Sequence, residues 1–365
     1  MSSSRIAFIV NGNYIAGAEL ANFNLIRDLH KKGNKLLVVT SGWNNGQFAE
    51  MLDQIGVKYI SIKLGFVYIS KPLWTLDTLI NYPTALRALS KQLKDFSPNY
   101  VVHSSYRNFL MGYFTFRKYN NIYWEHDEQA INDRHKKLYK FLNSKINKFI
   151  CPSKPIQSQM LKLGIERHKI SVIPSALDPE LEDYAPTQSI LNTEIKIGIV
   201  GQIIPRKGFD YIFDYLKEID QNFLLLIYGD DNNEYALSLK QNIPKNLFKK
   251  VRWCGYESNR NKIFTSIDLL LFPTHSESFG RVIIEAAAFE VPTFATNLAC
   301  FETIILPNKT GYLFNEEDKD DFVCQFSSLL KKRELILELG KNARKHVVNN
   351  FNSEKCTNLF LKILS

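Results

Sequence analysis

Short β-branched and aromatic runs alternate with amphipathic stretches from residue 6 to residue 314, and this alternation constrains the chain more than anything else in it. Strands separated by helical patterns pair in parallel, because a parallel pair needs a long crossover between its members. In the first half the spacing predicts strands at 6–10, 36–40, 59–62, 100–103, 122–126, 149–152 and 170–174. Helices are expected at 18–32, where Leu20, Phe23, Ile26 and Leu29 fall near helical spacing and Gly33 ends the run, and at 86–96 and 136–148. The pattern lapses in a polar, proline-containing stretch, DPELEDYAPTQSILN at 178–192. It then restarts with strands expected at 195–201, 223–229, 251–255, 268–273, 292–295 and 311–314, and continues as charged helix. The fold class expected is α/β, with two doubly wound Rossmann-like domains facing a central cleft. The first domain is expected at 1–178, a linker at 179–192, the second domain at 193–345, and a helix at 346–365 that packs back on the first. A chain of 365 residues suits two domains of roughly 150–200 residues each.

Composition removes several classes. The chain is 45% hydrophobic and 23% charged, a balance that excludes wholesale disorder. No apolar run approaches the ~18 residues of a membrane-spanning helix; the best, 223–228, has strand length. The five cysteines are scattered and never form a C-x-x-C pair, which argues against a disulfide framework or a zinc site. With no signal-peptide pattern at the start, a cytoplasmic protein is expected. The net charge of +9 lies entirely in the first half. Residues 1–185 hold 24 Lys and Arg against 15 Asp and Glu, and residues 186–365 hold 22 of each. A one-sided basic domain suggests an anionic partner, and a solvated basic surface is the plain alternative.

Four segments carry chemistry. In 273–292, PTHSESFGRVIIEAAAFEVP, Glu277 follows a strand, Gly280 sits where a helix begins, and Glu285 lies inside that helix among apolar residues. A buried carboxylate needs donors, and sugar hydroxyls supply them. The backbone of Ser278, Phe279 and Gly280 is placed to bind an anionic or polar group. An equally open reading makes Ser276 and Glu277 a cap and Glu285 a salt bridge inside the domain. In 198–210, GIVGQIIPRKGFD, Arg206 and Lys207 follow a strand end, where they would neutralise a diphosphate and stabilise it as it leaves. A solvated Arg-Lys pair is the plain alternative. In 11–19, NGNYIAGAE, Gly12 and Gly17 join the first strand to the first helix without forming G-x-G-x-x-G, so a dinucleotide site is not expected. In 123–127, YWEHD, His126 ends a strand and would reach a sugar hydroxyl or phosphate, unless Asp127 simply holds it locally.

Together these segments resemble the retaining nucleotide-sugar glycosyltransferases of family 4, which have the GT-B fold. The resemblance runs through the Gly-Ala-Glu turn at 17–19, the His-Asp step at 126–127, KISVIPSALD at 169–178, G-x-x-x-P-R-K-G at 201–208, the pair Glu277 and Glu285 in E-x7-E spacing, and Thr-Gly-Tyr-Leu-Phe at 310–314. It implies that Glu285 binds the ribose, that Glu277, Phe279 and Gly280 hold the donor sugar, that Lys207 contacts the diphosphate, and that His126 lies beside the transferred sugar. Gln202 stands where the family often has an arginine on the diphosphate, and Arg206 is the available replacement. Base recognition is expected near Cys254, Gly255 and Tyr256. No metal is implied, because the cations and helix N-termini perform its charge role.

The expected activity is transfer of a sugar from a nucleoside diphosphate sugar to an acceptor hydroxyl, in surface polysaccharide, lipopolysaccharide or lipid-linked glycan synthesis. A nucleotide-sugar epimerase and a non-catalytic sugar-nucleotide-binding protein are the alternatives. Arg107, Arg117, Lys118 and the lysines of 134–148, interleaved with aromatics from Phe109 to Tyr119, suit an anionic membrane surface better than nucleic acid. A peripheral position on the inner face of the plasma membrane is the corresponding expectation.

Overall fold

A computed structural model describes residues 3–10, 15–43, 46–64, 72–186 and 194–364. The chain forms two compact units, Met1–Ala176 together with Ser353–Ser365, and Leu177–Asn352.

In the first unit the strands are β1 (Arg5–Ile9), β2 (Lys35–Ser41), β3 (Tyr59–Ile62), β4 (Tyr100–His103), β5 (Asn120–Trp124), β6 (Lys148–Cys151) and β7 (Ile170–Val172). Among the described residues they make one parallel sheet in the order β3-β2-β1-β4-β5-β6-β7. Both faces of the central strands are buried, which is why those strands are largely apolar rather than alternating. Ile6 and Phe8 of β1 join the core on one face, and Ala7 and Ile9 join the core on the other. The helix Ser353–Leu364 belongs to this unit. It buries Cys356 and Phe360 against the face of Phe8, whose ring is 6.4 Å from that of Phe360. Asp28, buried on the helix Gly17–Lys31, accepts from the hydroxyls of Ser353 and Thr357, the latter at 3.3 Å.

The second unit repeats the architecture with β8 (Ile195–Val200), β9 (Phe223–Tyr228), β10 (Val251–Gly255), β11 (Leu269–Phe272), β12 (Thr293–Thr296) and β13 (Gly311–Phe314), ordered β10-β9-β8-β11-β12-β13 and all parallel. The strand order reverses between β8 and β11 here, and between β1 and β4 in the first unit. Doubly wound sheets bind ligands outside the strand ends at such points.

Three details differ from the sequence expectation. The helix expected at 86–96 runs from Pro72 to Phe96 and passes through Pro83, which lies on its exposed side. Within the stretch expected as linker, Pro179–Glu182 is a helical turn of the second unit, and residues 187–193 lie outside the described residues. The second unit extends to Asn352 rather than stopping at 345, because the helix Arg333–Asn350 buries Ala343 and Val347 in its core and Phe351 accepts from the Leu177 N–H at 2.8 Å.

Replacing Asp28 with alanine removes an acceptor that two buried hydroxyls share. Each lost buried partner costs about 1–3 kcal/mol, so Asp28→Ala is expected to lower the urea midpoint of the first unit. An unchanged midpoint would show that the C-terminal helix is held by its apolar contacts alone.

Candidate active site

In the second unit, the loops that follow β8 and β11 are stitched together at the reversal of strand order. Gly208 has φ +74°, and a Cβ there would lie 1.8 Å from the Pro273 carbonyl oxygen, so only glycine permits the approach. Tyr211 donates to the same carbonyl at 2.8 Å. The Arg206 carbonyl accepts from the His275 N–H at 2.9 Å and the Thr274 hydroxyl at 3.1 Å, and the Arg206 guanidinium donates to the Ser276 carbonyl at 2.6 Å.

This stitching sets Lys207 on Glu277. Its Nζ pairs directly with Oε1, and Arg206 Nη1 stands 3.5 Å from the same oxygen. The Lys207 side chain is 12% exposed and that of Glu277 13%, and the ammonium lies 4.9 Å from the centre of the Phe272 ring. Burial pushes the Lys207 pKa down, against the opposing pull of the Glu277 charge. Two cations therefore meet one carboxylate, and the cluster keeps an excess positive charge.

Gly280, at φ +98°, caps the helix Arg281–Ala288. The Phe279 ring is buried, edge-on to Phe351 at 5.8 Å, so this residue has only backbone to offer a ligand. Glu285 is buried between two arginines, with Arg281 Nη2 3.1 Å from Oε1 and Arg260 Nε 3.2 Å from Oε2. Both arginines also reach Asp178, at 3.1 and 3.2 Å, closing an alternating ring of four charges. The salt bridge foreseen as an alternative is thus present. Each carboxylate oxygen still has a second lone pair, so the ion pairs leave room for a donor. Gln202 is exposed, and Tyr256 is 75% exposed.

In the first unit Gly17 opens the helix Gly17–Lys31, while Gly12 lies outside the described residues. His126, half-buried beyond the end of β5, has its ring 4.8 Å from Trp124 and its Nε2 3.2 Å from Asn22 Nδ2. Asn22 is fully buried and accepts from the Ser104 hydroxyl at 2.9 Å. Beside them Glu125 is buried, and among the described residues no cation pairs with it. Tyr139 and Tyr123 donate to its Oε2, the latter at 3.2 Å, and Gln129 and the Asp127 N–H donate to Oε1 at 3.3 and 3.4 Å. Burial outweighs these bonds and raises its pKa to about 7.

Among the described residues no group of three or more His, Cys, Asp and Glu is placed to hold a metal ion. The Asp-Lys-Asp triplet at 318–320 serves a helix start, where Asp318 caps the Asp321 N–H at 2.9 Å.

The model of the glycosyltransferase family 4 matches residues 15–181, and that of the glycosyl transferases group 1 matches residues 182–346. The chain belongs to these glycosyltransferases. A capsular polysaccharide biosynthesis glycosyltransferase of Staphylococcus aureus, CapM, is 32% identical over 190 residues, covering 47% of this chain and 48% of the relative. The match thus spans about half of that protein. A glycosyltransferase structure from Rickettsia africae superposes with a TM-score of 0.81 at 18% identity over 100% of this chain and 98% of that one. Anabaena HepE in complex with UDP does so with a TM-score of 0.82 at 16% identity over 99% of both. These likenesses and the two parallel sheets establish the GT-B fold.

Several residues of this glycosyltransferase escaped sequence reasoning. His275 bridges Glu316 at 2.8 Å and Asp210 at 3.1 Å. Burial disfavours its charged form, but the two carboxylates outweigh that and hold its pKa above the usual histidine range. Asp178, Arg260 and Arg281 around Glu285, and Asn22 and Ser104 around His126, escaped as well. Asn22 alone had a legible signal, as a polar residue among Ala21, Phe23, Leu25 and Ile26 on a helix that buries them all.

Glu125 gives a pH dependence with a definite sign. Its folded pKa of about 7 exceeds the ordinary glutamate value of 4.5, so between those values the folded state binds more protons than the unfolded one. Stability is therefore expected to fall as pH rises through that window, by on the order of 3 kcal/mol. Glu125→Gln is expected to remove this part of the slope in urea unfolding from pH 4.5 to 8. Parallel wild-type and variant curves would show the carboxyl ionised throughout.

Proposed function

We propose that this chain is a retaining glycosyltransferase that moves a sugar from a nucleoside diphosphate sugar to an acceptor hydroxyl, in surface polysaccharide or lipid-linked glycan synthesis. The observation that carries the reading is the convergence of Lys207 and Arg206 on Glu277 at the strand-order reversal of the second unit. A developing diphosphate charge needs preorganised cations, and a lysine held largely out of water acts on it more strongly than a solvated one. The bond from the anomeric carbon to the diphosphate oxygen breaks with its electron pair going to the phosphate. The acceptor oxygen attacks from the same face, and its proton passes to the departing phosphate oxygen. Lys207 and Arg206 stabilise the leaving charge, Glu277 and His126 orient the sugar, Glu285 accepts from the ribose hydroxyls, and the backbone of Ser278, Phe279 and Gly280 binds the donor. Gly17, Gln202 and Tyr256 border it. No residue serves as a covalent nucleophile and no metal is required, so transfer is expected to survive chelation.

Capsular synthesis by the Staphylococcus relative and the UDP in the HepE crystals make UDP-sugars the first donors to screen. With a donor in hand, Lys207→Ala is expected to lower turnover at saturation by ~10²–10³ and Arg206→Ala by less. Arg206→Ala as the worse variant would mean that Arg206 has taken the role vacated at Gln202. Glu285→Gln is expected to weaken nucleoside diphosphate binding roughly 10- to 150-fold. NMR of the product anomer decides retention, and an inverted product overturns the mechanism.

A membrane-borne acceptor is supported by the surface of the first unit, although less of 106–148 contributes than the sequence suggested. Phe109 and Phe116 are buried in the core, leaving Phe114 77% exposed with Arg117 5.7 Å from its ring. The helix Pro72–Phe96 adds Leu73, Leu76 and Ile80, all exposed, on a face that continues into exposed Arg87, Lys91 and Lys94. Apolar residues followed by cations on one helix face suit an anionic lipid surface. No described helix is long and apolar enough to cross a membrane. Salt-sensitive binding to anionic vesicles, weakened by charge reversal at Arg117 and Lys118, is expected. Equal partitioning onto neutral vesicles would overturn it.

A further inference from the structure

Asn22 does more than fill space beneath His126. Its side-chain NH2 donates to the Ala18 carbonyl at 2.8 Å. A carbonyl oxygen only accepts, so the orientation of the Asn22 amide is not interchangeable. The amide oxygen accordingly faces the Ser104 hydroxyl at 2.9 Å, and the nitrogen, with its second hydrogen, faces His126 Nε2 at 3.2 Å. An Nε2 that faces an NH2 group must accept. We propose that Asn22 fixes the tautomer of His126, keeping the ring neutral with its proton on Nδ1, so that an oxygen approaching Nδ1 meets an N–H donor.

The elements involved make this a property of the fold. Asn22 stands on the helix after β1, Ser104 follows β4, and His126 follows β5, so one amide ties together the strand ends at the order reversal of the first sheet. Asn22 is fully buried, and the Trp124 ring limits rotation of the imidazole. The ring nitrogen that carries the proton is set by the partner of the other nitrogen. A histidine with an obligatory donor against Nε2 resists protonation there, since two N–H groups would then oppose each other. For the proposed transfer, a sugar hydroxyl or phosphate oxygen would find a neutral donor in His126, not a base. Only that consequence rests on the reading of His126 as a sugar contact; the tautomer itself does not.

The test is direct. In the full chain labelled with ¹⁵N-histidine, without donor, His126 is expected to show a protonated Nδ1 and an unprotonated Nε2. A proton on Nε2 in the wild type overturns the proposal without recourse to any variant. In Asn22→Asp a carboxylate replaces the donor, so the proton is expected to move to Nε2. In Asn22→Ala, which keeps the fold testable if aspartate does not, Nε2 loses this donor and the Nε2–H form is expected to gain population. A tautomer unmoved in both variants overturns the proposal. With donor and acceptor present, the tautomer exchange in Asn22→Asp is expected to lower turnover roughly tenfold or more. If the proton moves while turnover is unchanged, the tautomer assignment stands and the placement of His126 beside the sugar fails.

Discussion

The approach of Gly208 to the Pro273 carbonyl is the constraint on which the candidate site depends. No other residue fits there, and the contact sets the loop after β8 flat against the loop after β11. Once they are joined, the Arg206 carbonyl collects two donors from 274–275, and Lys207 pairs with Glu277. Burying that ion pair gains little stability by itself, because desolvating two charges offsets most of their attraction. What the pair does provide is a cation fixed in position, with Arg206 adding a second charge from a more exposed direction. On the proposed function, the modest cost in stability is offset by a cation already in place for an incoming anion.

The strands were legible because most are short apolar runs, and the central ones are buried on both faces. All thirteen expected strands are observed, with ends within a few residues. The first half of the helix Pro72–Phe96 was not legible, since Leu73, Leu76, Leu79 and Ile80 face outward and give no inward periodicity, and Pro83 looks like a boundary. The Arg-Lys-Gly loop and the two glutamates were legible as residue types at strand ends. Their partners were not. Arg260 reaches Glu285 from outside its helix, Asp178 meets both arginines from a distant part of the chain, and Ser104 reaches Asn22 across 82 residues. No local spacing encodes such pairs; they appear only when the sheet order brings strand ends together.

Two carboxylates show how differently this fold buries the same group. Glu285 is held between two arginines that are themselves shared with Asp178, so its charge is balanced on both sides. Among the described residues Glu125 meets two phenol hydroxyls, an amide and a backbone N–H but no cation, and burial drives its pKa to about 7. The first arrangement pairs each carboxylate oxygen with a guanidinium and leaves a lone pair on each for another donor. The second leaves the segment around His126 resting on a group that titrates near neutrality, next to an imidazole whose own protonation Asn22 opposes.

Bulk charge and functional charge also part company. The excess of nine positive charges lies within residues 1–185, yet the cations proposed to act on the leaving group, Arg206 and Lys207, belong to a half whose charges sum to zero. Surface lysines act on a partner over about a Debye length, ~8–10 Å in physiological salt, and are screened beyond it. A lysine mostly removed from water acts at contact and is screened far less. The basic half therefore suits attraction to an extended anionic surface, and the neutral half suits a single diphosphate. Net charge is informative about the first and silent about the second, which is why the site had to be sought in the order of residues at two strand ends.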